Sequence, residues 1–240
     1  MPTPLAITDV SLTDVTATEM EDGTVRLSLG LTLGAVRPPA SPAPTGPSVR
    51  DTTTGTGVAG TRAIDLPTRV AGDTLVAVVA NDGAANPAAN TGWTRRASND
   101  DGISVAIATY VRQSDGTDNV PVNSNLSGDY TYTVFAVRDV TAGHDAAASA
   151  SSGGAPGASI AAPSVTTAAA PALLVSAYVM SAAGTITPPG DQTPTVPVAV
   201  AGHTLRCAYE SLAAAGATGT RTAIGSNAGA TWAAASEAVK

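Results

Sequence analysis

The clearest pattern of apolar and polar residues lies between Val25 and Leu33, where apolar residues alternate with polar residues or glycine. The apolar positions are Val25, Leu27, Leu29, Leu31 and Leu33. A period of two over nine residues predicts a β-strand with one apolar face. Asp22-Gly23 favours a tight turn before this strand, and the run from Val10 to Met20 supplies a partner strand. An isolated hairpin is marginal in water, so we expect this face to dock on the following domain or on a neighbouring subunit.

The segment after this hairpin is rich in proline. Residues 37–48 contain five prolines, which is typical of an extended, stiff connection. We therefore predict a hairpin arm over residues 1–36, a linker over 37–48 and a larger domain over 49–240.

The larger domain contains an internal repeat, which we place at about residues 62–140 and 159–240. Leu75 matches Leu174 and Tyr110 matches Tyr209, each 99 positions apart, and Tyr132 matches Trp232, 100 apart. Repetition on this scale identifies the structural unit. Each copy alone would have a thin core, so one sandwich built from two halves is favoured over two separate domains.

Short strands separated by Asn, Asp, Gly and Pro turns are predicted throughout the repeats. They are Arg62–Leu66, Thr74–Ala80, Trp93–Ala97, Ser104–Arg112, Tyr130–Arg138, Ser159–Ala162, Leu173–Met180, His203–Glu210 and Thr231–Val239. The Ala-rich tail has helical propensity, but its match to residues 130–138 favours a strand. The predicted fold class is all-β, a jelly-roll-like two-sheet sandwich with a pseudo-twofold repeat, preceded by the hairpin arm.

Composition narrows the range of partners. Hydrophobic residues make up 43% of the chain but aromatic residues only 3%, so the core must be built mainly from Val, Leu, Ile and Ala. Charged residues are only 13%, and the net charge is −7, which argues against a nucleic-acid partner. We find no signal peptide and no apolar run long enough for a membrane helix, and expect neither secretion by a signal peptide nor a membrane span.

No set of residues predicts catalysis. Gly55–Gly60 matches G-x-G-x-x-G, but no apolar strand precedes it and Pro67 breaks any helix after it, so we interpret it as a flexible loop. His144 is predicted to lie in a loop, and His203 to begin a strand; neither accompanies a serine-nucleophile motif. The carboxylate pairs Asp100/Asp101 and Asp115/Asp118 are interpreted as turn residues. A loop calcium ion near Asp100 and Asp101 is the alternative to our expectation of no cofactor.

The aromatic residues and the single cysteine are assigned to the core. Trp93, Tyr132 and Trp232 would stack on sugar rings if exposed, but their apolar neighbours favour packing. Cys207 has no disulfide partner and lies in an alternating run, so we expect a small buried residue.

Two segments carry a resemblance to a known family. GDTLVAVVANDGA followed by GWT, and the later turn Thr185–Gly190, resemble β-sandwich modules of minor tail and other virion proteins of actinobacterial tailed phages. The second turn lacks the Trp that the pattern would place after Gly190, where Asp191 stands instead. The resemblance covers residues 49–240 and implies a structural or adhesive virion role without catalytic residues.

These observations lead to an expected function with stated alternatives. We expect a non-enzymatic, tail-associated virion protein, assembled in the bacterial cytoplasm, whose hairpin docks through the Val25–Leu33 face. The alternatives are a capsid decoration protein and a module that binds host cell-wall glycan. The expected partners are other virion proteins, with self-association and glycan as further candidates, and neither nucleic acid nor membrane.

Overall fold

The chain divides into two compact units, Met1–Ala43 and Pro44–Lys240. The computed structural model describes residues 10–21, 25–33, 46–58, 64–83, 85–87, 92–117 and 128–240. Most of the predicted linker, residues 37–45, lies outside these ranges. All regular elements of the described residues are β-strands, as the sequence predicts.

The first unit contains an antiparallel hairpin of β1 (Val10–Glu19) and β2 (Val25–Leu33). A register shift between Leu12 and Asp14 inserts one extra residue into β1. Because of this shift, Val15 pairs with Leu29 and Ala17 with Leu27; an unbroken ladder would have placed Asp14 and Thr16 there. A bulge that changes the phase of one strand therefore aligns the apolar positions of both. The predicted hairpin is confirmed, whereas its docking role stays a prediction.

The second unit contains the remaining strands. In chain order they are β3 (Ser48–Gly57), β4 (Ala71–Asp82), β5 (Thr94–Asp100), β6 (Val105–Asp115), β7 (Tyr130–Arg138), β8 (His144–Ser151), β9 (Ser159–Ala162), β10 (Thr166–Thr167), β11 (Ala172–Met180), β12 (Ile186–Thr187), β13 (Thr193–Pro194), β14 (Val198–Ala199), β15 (Thr204–Leu212), β16 (Gly216–Ala217), β17 (Arg221–Gly225) and β18 (Trp232–Val239).

Two antiparallel sheets form the sandwich, and each is one copy of the repeat. Sheet 1 has the order β3-β7-β4-β6-β5, and sheet 2 has β8-β18-β11-β15-β13, with β14 also pairing with β15. The two orders match strand for strand, so the strands of the repeats span residues 48–138 and 144–239. The two facing sheets form the predicted β-sandwich, and the chain passes from sheet 1 to sheet 2 at residues 139–143. One sandwich built from two halves is confirmed.

The core lies between the two sheets, where their inner faces pack together. This inner core consists of Val76, Val78, Ala80, Val105, Ile107, Val111, Phe135 and Val137 from sheet 1 and Leu173, Val175, Ala177, Val179, Leu205, Cys207, Ala233, Ala235 and Val239 from sheet 2. The outer faces are covered too: Ile64 and Trp93 pack on sheet 1, and β9, β12 and β17 on sheet 2. Burial on both faces explains why β11 is apolar at every position except Ser176.

Most predicted strands are confirmed to within a few residues, including the Ala-rich tail as β18. The strand predicted for Arg62–Leu66 is wrong where the structure describes it, because Ile64–Leu66 is irregular and packs over sheet 1. The sequence reading missed the edge strands β3 and β8 and the shorter strands β10, β12, β13, β14, β16 and β17. β3 is rich in Thr and Gly and β8 in Ala and Ser, so neither shows the apolar alternation that would identify a strand.

The strand register corrects two of the three residue matches between the repeats. Leu75 and Leu174 are equivalent, both facing outward from the central strand. Leu75 pairs with Arg112 on β6, and Leu174 pairs with Glu210 on β15. Equivalent residues of β6 and β15 are therefore 98 positions apart. Tyr110 is therefore equivalent to Ala208, not to Tyr209, which packs on the inner core.

The last strand of each repeat is offset by 102 residues. Asn81 pairs with Tyr130, and the equivalent residue Met180 pairs with Trp232. Trp232 is thus equivalent to Tyr130, two positions from the predicted match with Tyr132. The offset between equivalent residues changes from 99 to 98 to 102 along the repeat, because the loops between the strands differ in length. Composition alone could not show where these changes occur.

Candidate functional site

The first two glycines of the motif, Gly55 and Gly57, lie on the edge strand β3 and not in a flexible loop. Gly55 pairs with Tyr132 and Gly57 with Tyr130 across β3 and β7, and the two tyrosine rings lie over the glycines. The tyrosines fill the space that a side chain would otherwise occupy. The loop interpretation is therefore wrong for residues 55–57, whereas Ala59 and Gly60 lie outside the described residues.

Replacing Gly55 tests this packing. A Cβ there would collide with the Tyr132 ring, whose hydroxyl donates to Asp65 Oδ2 at 3.3 Å. We expect Gly55→Ala to lower the free energy of unfolding by about 1–3 kcal/mol. The neighbouring Thr54→Ala should change it by less than about 0.5 kcal/mol. Urea unfolding measures both, and a neutral or stabilising Gly55→Ala would contradict the packing.

Asp101 caps the turn between β5 and β6. Its buried Oδ1 accepts backbone N–H groups of Ile103 (2.8 Å), Ser104 (2.7 Å) and Val105 (3.0 Å), and its Oδ2 accepts the Thr231 hydroxyl. Burial raises the pKa of this carboxyl, but the hydrogen bonds outweigh burial and leave the pKa below its usual value. Both oxygens are thus engaged in structural hydrogen bonds, which confirms the turn reading of Asp101.

The other predicted carboxylates also serve turns. Asp100 Oδ1 accepts the Gly102 N–H at 3.0 Å, and Asp115 Oδ1 accepts the Thr117 N–H at 2.8 Å. Asp118 lies outside the described residues. Within the described ranges, no three His, Cys, Asp or Glu side chains are grouped so that they could hold a metal ion.

The two histidines lie at separate places, His144 half-buried and His203 in the interior. His144 begins β8, which corrects its loop assignment, and its Nδ1 lies 2.6 Å from Glu237 Oε1. His203 is fully buried, with Nε2 at 2.9 Å from Thr131 Oγ1. Burial lowers the pKa of His203 to about 4, so its ring is neutral at pH 7.

Among the described residues, three contacts between side chains join the sheet 1 half to the sheet 2 half, beside a hydrogen bond from the Ser149 hydroxyl to the Ser98 carbonyl at 3.0 Å. Sequence reasoning missed the three side-chain contacts as a group. They are Thr109 to Glu237, Thr131 to His203 and Asp101 to Thr231. The Thr109 hydroxyl donates to Glu237 Oε2 at 3.1 Å, so the fully buried Glu237 receives one partner from each sheet. The available signal was Glu237 itself, a lone charge within the apolar strand WAAASEAV.

The aromatic residues pack mainly in the interior, as predicted. Trp93 and Tyr132 are buried on the outer face of sheet 1, and Trp232 packs partly buried against sheet 2. Cys207 lies fully buried in the inner core, and burial raises the pKa of its thiol to about 12. The prediction of a small, buried cysteine is confirmed.

Comparisons add no relative to these observations. No family model, curated protein or solved structure matches the chain. In the described part of the chain, no helix is long and apolar enough to cross a membrane.

Proposed function

We propose that this chain is a non-enzymatic structural protein of a tailed-phage virion, attached to the tail through its hairpin. The observation that carries the proposal is the register of β1 and β2. The extra residue in β1 brings Val15 and Ala17 opposite Leu29 and Leu27. Opposed residues share a face of an antiparallel ladder, so apolar positions of both strands fall on one face.

Such a hairpin needs a covering surface. Two strands alone are marginally stable in water, and the hairpin belongs to a compact unit separate from the sandwich. A neighbouring virion subunit would supply that cover, with strand addition to an edge of the hairpin as the mode of docking.

The interior of the sandwich supports a scaffold role. Asp101, Glu237 and His203 are buried and each is hydrogen-bonded to the opposite sheet. Groups that could do chemistry are thus used to hold the two repeats together. Burial of Trp93 and Tyr132 argues against the alternative of glycan binding, which needs exposed aromatic rings.

Removal of the hairpin tests attachment. In the phage that encodes the chain, we expect deletion of residues 1–36 to reduce the protein in purified virions at least tenfold. Quantitative mass spectrometry measures the incorporation, and circular dichroism of the purified variant checks that the sandwich remains folded.

Point variants within β2 provide a matched pair. Leu29→Asp places a charge on the apolar face and should reduce incorporation as the deletion does, whereas Ser28→Asp changes the other face and should leave it normal. Normal incorporation of Leu29→Asp or of the deletion would refute docking through this face. Gel densitometry of the virions then separates a tail protein, with few copies, from a capsid decoration protein, with hundreds.

A further inference from the structure

The three contacts between side chains of the two sheets do not obey the symmetry of the repeat. Val76 and Val175 are equivalent positions on the central strands of the two sheets. Val175 pairs with Glu237 and Val76 pairs with Phe135, so Phe135 is the counterpart of Glu237. By the offset of 98, Cys207 is the counterpart of Thr109. The polar contact between Thr109 and Glu237 thus corresponds to two residues of the inner core, Cys207 and Phe135.

The contact between Thr131 and His203 shows the same asymmetry. The counterpart of Thr131 is Ala233, and the counterpart of His203 is Val105. Both counterparts belong to the inner core and carry no hydrogen-bonding group. The hydrogen bond therefore exists in one direction between the repeats and has no equivalent in the other.

Asp101 and Thr231 complete the pattern. Asp101 corresponds to Val200, because the N–H of Asp101 bonds the carbonyl of Val105 as that of Val200 bonds the carbonyl of His203. Thr231 corresponds to Asp129, since each directly precedes a matched residue, Trp232 or Tyr130. Asp101 therefore meets the Thr231 hydroxyl only where sheet 1 faces sheet 2.

Pairing of like sheets would break all three contacts. Two copies of sheet 1 would set Asp101 against Asp129 and Thr109 against Phe135. Two copies of sheet 2 would bury Glu237 against Cys207 and His203 against Ala233. A buried polar group that loses its partner is penalised, and a buried carboxylate most of all, so these residues disfavour like pairs.

We propose that the inner faces of the two sheets are a heterospecific docking pair, through which sheet 1 of one chain accepts sheet 2 of a second copy and rejects another sheet 1. Exchange of the second repeat between two chains re-forms every contact between the sheets. Only the crossing segment at residues 139–143 must change its path, and exchange of an identical element is a low-cost route to dimers. This inference is independent of the proposed role in a virion.

Cleavage of the crossing segment in the full chain tests the pair. A specific protease site is inserted between the exposed Thr141 and Ala142, the chain is folded, and the site is then cut. Cut samples made with ordinary nitrogen and with 15N are mixed, and native mass spectrometry follows the complexes. If this insertion prevents folding, the site is placed between Ala142 and Gly143.

The expected result is that the two halves stay associated one to one and exchange between labelled and unlabelled molecules. Complexes of unlike halves should exceed complexes of like halves at least tenfold. Separation of the halves after cutting, or like pairs in comparable amounts, would overturn the proposal. Uncut protein is the control, because self-association through the hairpin would appear before cutting as well as after it.

Discussion

Replacing Asp101 with alanine should lower the free energy of unfolding of the sandwich by about 3 kcal/mol. The variant leaves three backbone N–H groups without their acceptor. The Thr231 hydroxyl loses Asp101 and keeps the Ser181 hydroxyl at 2.8 Å. The variant also removes a contact between the sheets. For a domain of this size the midpoint of thermal unfolding should fall by about 6–12 °C. Urea and thermal unfolding followed by circular dichroism measure both quantities.

Two variants control for this result. Asp101→Asn retains an acceptor for the turn and should cost about 1 kcal/mol. Asp100→Ala removes one backbone hydrogen bond and one exposed hydrogen bond from Asn86 at the neighbouring, more exposed carboxylate, and should also cost about 1 kcal/mol. Equal losses for Asp101→Ala and Asp100→Ala would show that the four hydrogen bonds of Asp101 do not stabilise the fold.

The pH dependence of the free energy of unfolding tests whether the charge of the Asp101 carboxylate stabilises the fold. Its folded-state pKa lies below the unfolded value, so its stabilising contribution is fully present above the unfolded pKa of about 3.9. That contribution is lost as the pH falls through the folded-state pKa. The difference in stability between wild type and Asp101→Asn should therefore be largest near pH 7 and shrink below about pH 4. A constant difference would mean that the carboxylate charge contributes nothing.

Local patterns in the sequence predicted the elements whose patterns are strong. The alternation from Val25 to Leu33 predicted β2, and the match to residues 130–138 overrode the helical propensity of Ala233–Ala235. The repeat also predicted that two halves form one sandwich. Each of these inferences depends on residues close together in the chain or on a spacing that the chain displays directly.

The remaining features depend on contacts between residues far apart in the chain, which the spacing of residues in the sequence does not reveal. Loop lengths shift the repeat offset, so the sequence match of Tyr110 with Tyr209 joined residues on opposite faces of their sheets. Gly55 and Gly57 were interpreted as a loop because the tyrosines that cover them lie about 75 positions later. The partners of Glu237 come from β6 and β8, and no local pattern links those strands.

Replacing His144 with alanine should be the second strongly destabilising change, with a loss of about 3 kcal/mol near pH 7. Glu237 is fully buried and has His144 on one oxygen and Thr109 on the other. Without the imidazole, a buried carboxylate keeps a single hydroxyl partner. Burial already raises the pKa of Glu237, against the effects of His144, Thr109 and Arg96, and loss of His144 should raise it further.

The raised pKa of Glu237 sets the direction in which the stability of His144→Ala changes with pH. A carboxyl whose folded-state pKa exceeds its unfolded value of about 4.3 favours the folded state when protonated, and that contribution is lost as the pH rises through the folded-state pKa. The penalty of His144→Ala should thus be small near pH 4 and grow toward pH 8. Adding Glu237→Gln to His144→Ala removes the charge and should recover most of the loss at pH 8. If the double variant is as unstable as His144→Ala at both pH values, His144 acts by filling space on β8 and not by compensating the buried charge.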